Sequence, residues 1–522
     1  MILGDIRQGG QRGLQRRLYE ALRSAILSGR LPPGSRLPPT RALAEEYGLA
    51  RQTVVLVYER LLAEGYAVAR VGSGTYVSSL QPAPPASPAA GPAFCPPRSA
   101  WADRALAVPR DAWPPAASGP AFDFRPGVPD WTSFPRTRWR RLLARRLRGA
   151  ETEPALGQYG DPAGYRPLRE ALASYLAQSR GLRCTADQVV ITSGSQQALD
   201  LLARVCLNPG DVAAVEEPGY PPARAILAAA GARVQPVPVD EQGLVVEALG
   251  PRGAPPAGDE ERVRSEGRPA AERPRLVYVT PSHQYPLGVT LSLSRRLELL
   301  EWAARLGALI IEDDYDSELR YSGPPLPALQ GPDERGCVAY VGSCSSVLFP
   351  PLRVGWIVAP PALVEALVAA KWLADRQTST LDQQVLADFI QAGDLARHLR
   401  RSRRLYARRR EALASAVARH LAPGCRLAGE AAGLQTPLFL PARTDERAVV
   451  TAAAARGVGV YPLGPCYGAA AGTPASGGRS GTRPNGEGAR RSGLLMGFAA
   501  MSEDAIAEGI RRLAAALRQA AR

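Results

Sequence analysis

The chain has 522 residues, more than one hydrophobic core usually fills, and its 45% apolar and 22% charged content is ordinary for globular protein, so two or three domains are expected. A net charge of +15, carried almost wholly by Arg, fits an anionic partner and also a coding bias toward Arg. No apolar run approaches the roughly 18 residues that cross a bilayer, and seven scattered cysteines without a CxxC pair and three distant histidines indicate neither a disulfide framework nor a zinc site.

In chain order, the start MILGDIRQGGQRG lacks the hydrophobic stretch of a signal peptide, so the expected compartment is the cytoplasm. Leu14, Leu18, Leu22, Ala25 and Ile26 share one face at helical spacing, and this helix ends at Gly29 before the turn Pro32-Pro33-Gly34. A second helix fits Thr40 to Tyr47, stopped by Gly48, and a third fits Arg51 to Ala63, stopped by Gly65. Tyr66 to Val77 then give two short β-branched and aromatic runs around a Gly-Ser-Gly turn. Three helices and a hairpin describe a winged helix-turn-helix, here placed at residues 1 to 78.

Residues 79 to 120 are rich in Pro, Ala and Ser and read as a semi-rigid linker with no core of its own. From about 121 to 522, apolar β-rich runs alternate with amphipathic stretches: VVIT at 189, VAAVEEP at 212, RLVYVTP at 275, ALIIEDDY at 308, VAYVGS at 338 and GWIVAP at 355. That alternation predicts an α/β domain with a mainly parallel sheet. The polar, low-complexity stretches 251 to 274 and 467 to 492 read as surface insertions, and no repeat is visible.

The run GSRLPPTRALAEEYGLARQTVVLVYERLLAEGYAVARVGSGTYV closely resembles the winged helix of GntR-type bacterial transcription regulators. The resemblance implies binding to double-stranded DNA, with Arg41 on backbone phosphate, Arg51, Gln52 and Thr53 opening the recognition helix, and Ser73 and Gly74 at the wing tip. Those side chains at a helix N-terminus suit base edges and phosphates. Residues 1 to 78 hold eleven Arg against six Asp and Glu, which agrees with an anionic partner and also with a merely solvated small domain. Ala50 departs from the capping Ser common in the family.

The remainder resembles a class I aminotransferase of fold type I, through QYGDPAGYRPLREALASYL at 158, ITSGSQQALDLL at 191, EEPGY at 216, TPSHQYPLG at 280 and IIEDDYDSE near 311. Joined to a GntR-type helix, this is the architecture of the MocR/GabR-type regulators, which implies a smaller C-terminal α+β subdomain and a homodimer. For pyridoxal phosphate (PLP) the resemblance assigns Ser195 and Gln196 to a phosphate-binding helix start, Tyr220 to ring stacking and Asp313 to the pyridinium nitrogen. It assigns Tyr315 to the ring hydroxyl, and Ser343 and Arg353 to further phosphate contacts. Bland readings stand beside these: Tyr220 and Tyr315 as core aromatics, Ser195 and Gln196 as a cap, Asp313 in a buried ion pair, and His283 as a structural group.

Two positions depart from the enzyme pattern. In YVGSCSSVLFPPLRVGWIVAP the Schiff-base lysine position holds Ser346, 33 residues after Asp313, and a hydroxyl neither forms an imine nor shuttles the proton of transamination. Leu495, in LLMGFAAM, stands where the family grips a substrate carboxylate with Arg. The single lysine, Lys371, lies in ALVEALVAAKWLADR and reads as a solvated side chain, a poor substitute nucleophile. The expectation is a transcription regulator sensing PLP, held at most noncovalently, or an amino-acid-like effector; the alternative is an active PLP-dependent aminotransferase fused to a DNA-binding domain.

Overall fold

The computed structural model describes residues 13–79, 97–108, 119–148, 157–250, 273–321, 326–442, 444–468 and 491–520. The chain divides into two units, Met1–Pro97 and Arg98–Arg522. In the first, Leu18, Tyr19, Leu22, Ala25 and Ile26 form the buried face of α1 (Leu14–Leu27), as their spacing requires. That face meets α3 (Arg51–Ala63), which also contacts α2 (Thr40–Tyr47), and Leu43, Tyr47, Val54, Val57 and Leu61 complete a small core. Gly48, at φ 58°, ends α2 in the left-handed conformation that lets the chain turn into α3. Strands β1 (Ala67–Arg70) and β2 (Gly74–Val77) pair antiparallel, with Arg70 opposite Gly74, so Val71 to Ser73 form the tip of the wing.

The stretch read as a semi-rigid linker contains a helix, Ala100–Leu106. Ser99 caps it by accepting from the Ala102 N–H at 3.2 Å, and Arg104 Nε reaches the Ala229 carbonyl at 2.9 Å in the second unit's own body. A cap and one long side chain anchor a segment whose composition carries no periodicity. The two presumed insertions lie almost wholly outside the described residues, but Pro274 opens a strand.

The second unit is built on an eight-stranded sheet: β3 (Val189–Thr192), β4 (Val212–Glu217), β5 (Arg233–Asp240), β6 (Gly243–Leu244), β7 (Pro274–Val279), β8 (Leu309–Asp314), β9 (Val338–Ser343) and β10 (Gly355–Val358), in the order β3-β10-β9-β8-β7-β4-β5-β6. The central pairs β9–β8, β8–β7, β7–β4 and β4–β5 are parallel, while β10 runs antiparallel to both neighbours and β6 to β5. The sheet is therefore mixed around a parallel centre, and its buried strands read as continuous apolar runs because helices cover both faces. A smaller antiparallel sheet of residues 426–427, 435–439, 493–497 and 461–462 forms the C-terminal subdomain, joined to the large sheet's body by the 27-residue helix Asp394–His420. No helix among the described residues is long and apolar enough to cross a membrane.

Candidate functional site

Because the central strands are parallel, their carboxyl ends fall on one edge of the sheet, where an open α/β sheet leaves a crevice for a ligand. A cavity of about 300 Å³ lies there. Thr280 follows β7, Asp313 and Ser343 end β8 and β9, and Ser195 and Gln196 begin α4 (Ser195–Cys206) just after β3; all five line the cavity. Tyr220, Tyr315 and Arg353 line it too, so the structure gathers all seven residues assigned above to PLP.

One end of the cavity favours an anion. The chain enters α4 through Gly194, at φ 90°, where an added Cβ would stand 2.8 Å from the Arg353 guanidinium. Only glycine allows that approach. Arg353 itself sits at φ 53°, an uncommon conformation for a side-chain-bearing residue, and its guanidinium donates to the Ser193 carbonyl at 2.6 Å. The free N–H groups of α4, the Ser195 and Ser343 hydroxyls and a guanidinium thus converge.

The opposite polarity is supplied by Asp313. Tyr278 donates to its Oδ2 at 2.8 Å, and its buried Oδ1 has no partner among the described residues. Burial pushes this carboxyl up to about 7, against the Tyr278 bond that favours its charged form. The ion pair weighed for Asp313 is made instead by its neighbour: Asp314 holds Arg180 at 2.7 Å, both side chains 2% exposed. Nearby, burial raises Glu216 to about 8, although Thr280 donates to it through both Oγ1, at 2.6 Å, and N–H, at 3.2 Å.

Three phenols wall the space between. Tyr220 and Tyr285 meet edge to face with centroids 5.1 Å apart, and Tyr285 meets Tyr315 at 6.0 Å. Tyr315 OH lies 3.1 Å from His283 Nδ1, which lies 2.9 Å from Asp316. Burial opposes the charged imidazole, but Asp316 outweighs it and raises the histidine. His283 is thus a satisfied group that orients Tyr315, and the tyrosines are both core aromatics and lining.

Ser346 lines the cavity, buried to 8% exposure. Lys371 does not line it, and contrary to expectation its side chain has no exposure; it is paired with the partly exposed Asp375. Leu495 pairs across the small sheet with Pro437 and Tyr461 and packs with Tyr285, Phe439, Leu463 and Cys466, so it presents no charge to the site. The sequence reading missed Tyr278, Thr280, Tyr285, Asp316 and Gln435, all of them lining. The motif TPSHQYPLG contained two of these, and its polar side chains next to an apolar strand were the available signal.

On the first unit, Arg41, Arg51, Gln52 and Gly74 are exposed and Thr53 and Ser73 half-buried. Ala50 stands at the N-cap of α3 with φ −65° and ψ 133° and no side-chain bond, leaving the start of that helix open to an outside acceptor. Ser73 Oγ is 2.6 Å from Tyr76 OH, and Arg70 lies over the Tyr76 ring, so the wing tip is braced from within.

These two surfaces match two families. Residues 14–77 match the family of bacterial regulatory proteins, gntR, and residues 130–466 match aminotransferase class I and II. The probable rhizopine catabolism regulatory protein MocR of Rhizobium meliloti is 39% identical over 451 residues, 86% of each chain. The chain belongs to the MocR-type transcription regulators. The regulator TauR of Rhodobacter capsulatus is 35% identical over 98% of both chains. Among solved structures, the kynurenine aminotransferase of Pyrococcus horikoshii superposes with a TM-score of 0.65 at 30% identity, covering 77% of this regulator and 92% of the enzyme. Its second unit therefore has the fold of PLP-dependent enzymes, and its first that of DNA-binding regulators.

Proposed function

We propose that this regulator reads an operator with its winged helix, acts as a cytoplasmic homodimer, and senses PLP or an amino-acid-like ligand held noncovalently in the cavity. The observation behind the ligand reading is the opposed polarity inside one space: Arg353 and a helix N-terminus at one end, and at the other the buried Asp313 Oδ1, without a partner among the described residues. A phosphorylated pyridine fits both. Its phosphate would meet Ser195, Ser343 and Arg353, its protonated ring nitrogen Asp313, its face Tyr220 and its hydroxyl Tyr315. A carboxyl held near 7 by burial ionises once a cation meets it, so Asp313 would bind such a ring in its charged form.

When bound, PLP supplies an electron sink, but Ser346 stands at the lysine position and offers only a hydroxyl. We therefore read the site as one that recognises rather than transforms. A ligand that favours one arrangement of the dimer would shift which operator spacing the two winged helices can span. The test is a thermal melt of the full chain against PLP, followed by borohydride and intact mass. The expected result is a Tm that climbs with PLP concentration by mass action and no pyridoxyl adduct. A Tm indifferent to millimolar PLP would remove PLP as ligand, and a fixed adduct would remove the noncovalent reading.

A further inference from the structure

Lys371 is the only lysine of the chain, and a fully buried ammonium is costly unless something specific compensates it. Its Nζ pairs with Asp375 Oδ1, one turn later in α5 (Pro361–Asp375). Asp375 Oδ2 accepts from Gln197 Nε2 at 2.8 Å and faces Ser193 Oγ at 3.5 Å. Gln197 Oε1 accepts the Ser193 backbone N–H at 2.8 Å, and the Ser193 carbonyl accepts from Arg353 at 2.6 Å. An unbroken run of polar contacts therefore joins Lys371 to the turn that opens α4 and to the guanidinium at the anion end.

We propose that Lys371 is a positioning residue for a phosphate-bearing ligand. It never meets the ligand; it neutralises Asp375. A carboxylate braces this turn well because its two oxygens engage Lys371 and Gln197 at once, yet alone it would place a negative charge beside the anion site. With the ammonium against it, the carboxylate keeps its acceptor geometry and loses most of its field. Burial lowers the lysine's proton affinity, and the Asp375 bond offsets this only in part. Asp375 remains 32% exposed, so the repulsion released on removing Lys371 is salt-dependent.

The inference rests on reading the cavity as a phosphate site, and the experiment separates the two. Dissociation constants for PLP, unphosphorylated pyridoxal and inorganic phosphate are measured on the full chain for the parent, Lys371→Met, Lys371→Gln and Lys371→Met/Asp375→Asn. Lys371→Met is expected to weaken PLP and phosphate about tenfold at low salt, less at high salt, and to leave pyridoxal unchanged. Lys371→Gln keeps a donor to Asp375 without the charge, so it preserves folding if Met does not, and shows the same phosphate-selective loss. The double variant, with no charge left to strand, recovers most of the affinity. Equal losses for PLP and pyridoxal, or no loss with a parent that binds PLP, would overturn the role of Lys371 while leaving the cavity reading intact. A parent that binds neither PLP nor phosphate would sink both.

Discussion

Asp313 is a buried carboxyl whose Oδ1 has no partner among the described residues, and that has a consequence for stability that can be measured without any ligand. Its carboxyl is raised to about 7 in the fold from an ordinary 3.8 in the unfolded chain. The folded state thus holds a proton that the unfolded state gives up, so this group's contribution is complete below pH about 4 and is lost as pH rises toward about 7. Asp313→Asn removes the titration. The ligand-free variant is expected to be more stable than the parent near pH 8, by on the order of 3 kcal/mol, and to converge with it near pH 4. Glu216 titrates in both proteins, and because the Asp313 charge is a minor contributor to its shift, most of that effect is shared. PLP affinity moves the other way and falls at least about tenfold, because a neutral amide replaces a charge-assisted acceptor. Melting curves from pH 4 to 8 check this, and a variant less stable than the parent at pH 8 would show that Asp313 already has a cation. The side chains that meet at this cavity were legible where a motif fixed their chemistry, as for Asp313 and Arg353. Tyr278 was not, because a strand buried on both faces shows no alternation to reveal which side meets a ligand. Lys371 was misread for a related reason: the periodicity of α5 describes that helix alone, while burial depends on what the helix packs against, here α4 and β3.

At the scale of elements, local signals carried furthest where they were punctuated. Gly48 and Gly65 placed the ends of α2 and α3, and the apolar runs at 189, 212, 275, 308, 338 and 355 became strands of one sheet. β5 escaped because RVQPVPVD contains two prolines, tolerated here near the sheet's edge where the neighbouring β6 is only two residues long. The helix 100–106 escaped because what holds it is tertiary, the Arg104 contact to the Ala229 carbonyl. The cap of α3 is the element where sequence and structure agree on a weakness: Ala50 has cap geometry and nothing to cap with. Ala50→Ser is expected to stabilise the winged helix by about 1 kcal/mol, which for a unit of this size raises its Tm by about 4–8 °C. Calorimetry of the full chain reads this in the winged-helix transition, and an unchanged transition would mean that the N–H groups of α3 already have an acceptor.

For the molecule as a whole, the decisive quantity is how many winged helices grip one operator. Each phosphate contact released changes the slope of log K against log salt by about 0.9 on duplex DNA. Arg41 is exposed at the start of α2 and assigned to phosphate, so Arg41→Ala should weaken binding to any sequence and flatten the slope. If a homodimer sets two copies on two half-sites, the flattening is about 2; if one copy binds, it is about 1. Gln52, on the exposed first turn of α3, is expected to behave differently. Its replacement by Ala should leave the slope alone and cost about 1–3 kcal/mol only on the preferred sequence, as loss of a base contact does. Fluorescence titrations of the chain's own upstream region at several salt concentrations separate these outcomes, and a slope change near 1 for Arg41→Ala would refute the two-copy arrangement even if the protein is a dimer in solution.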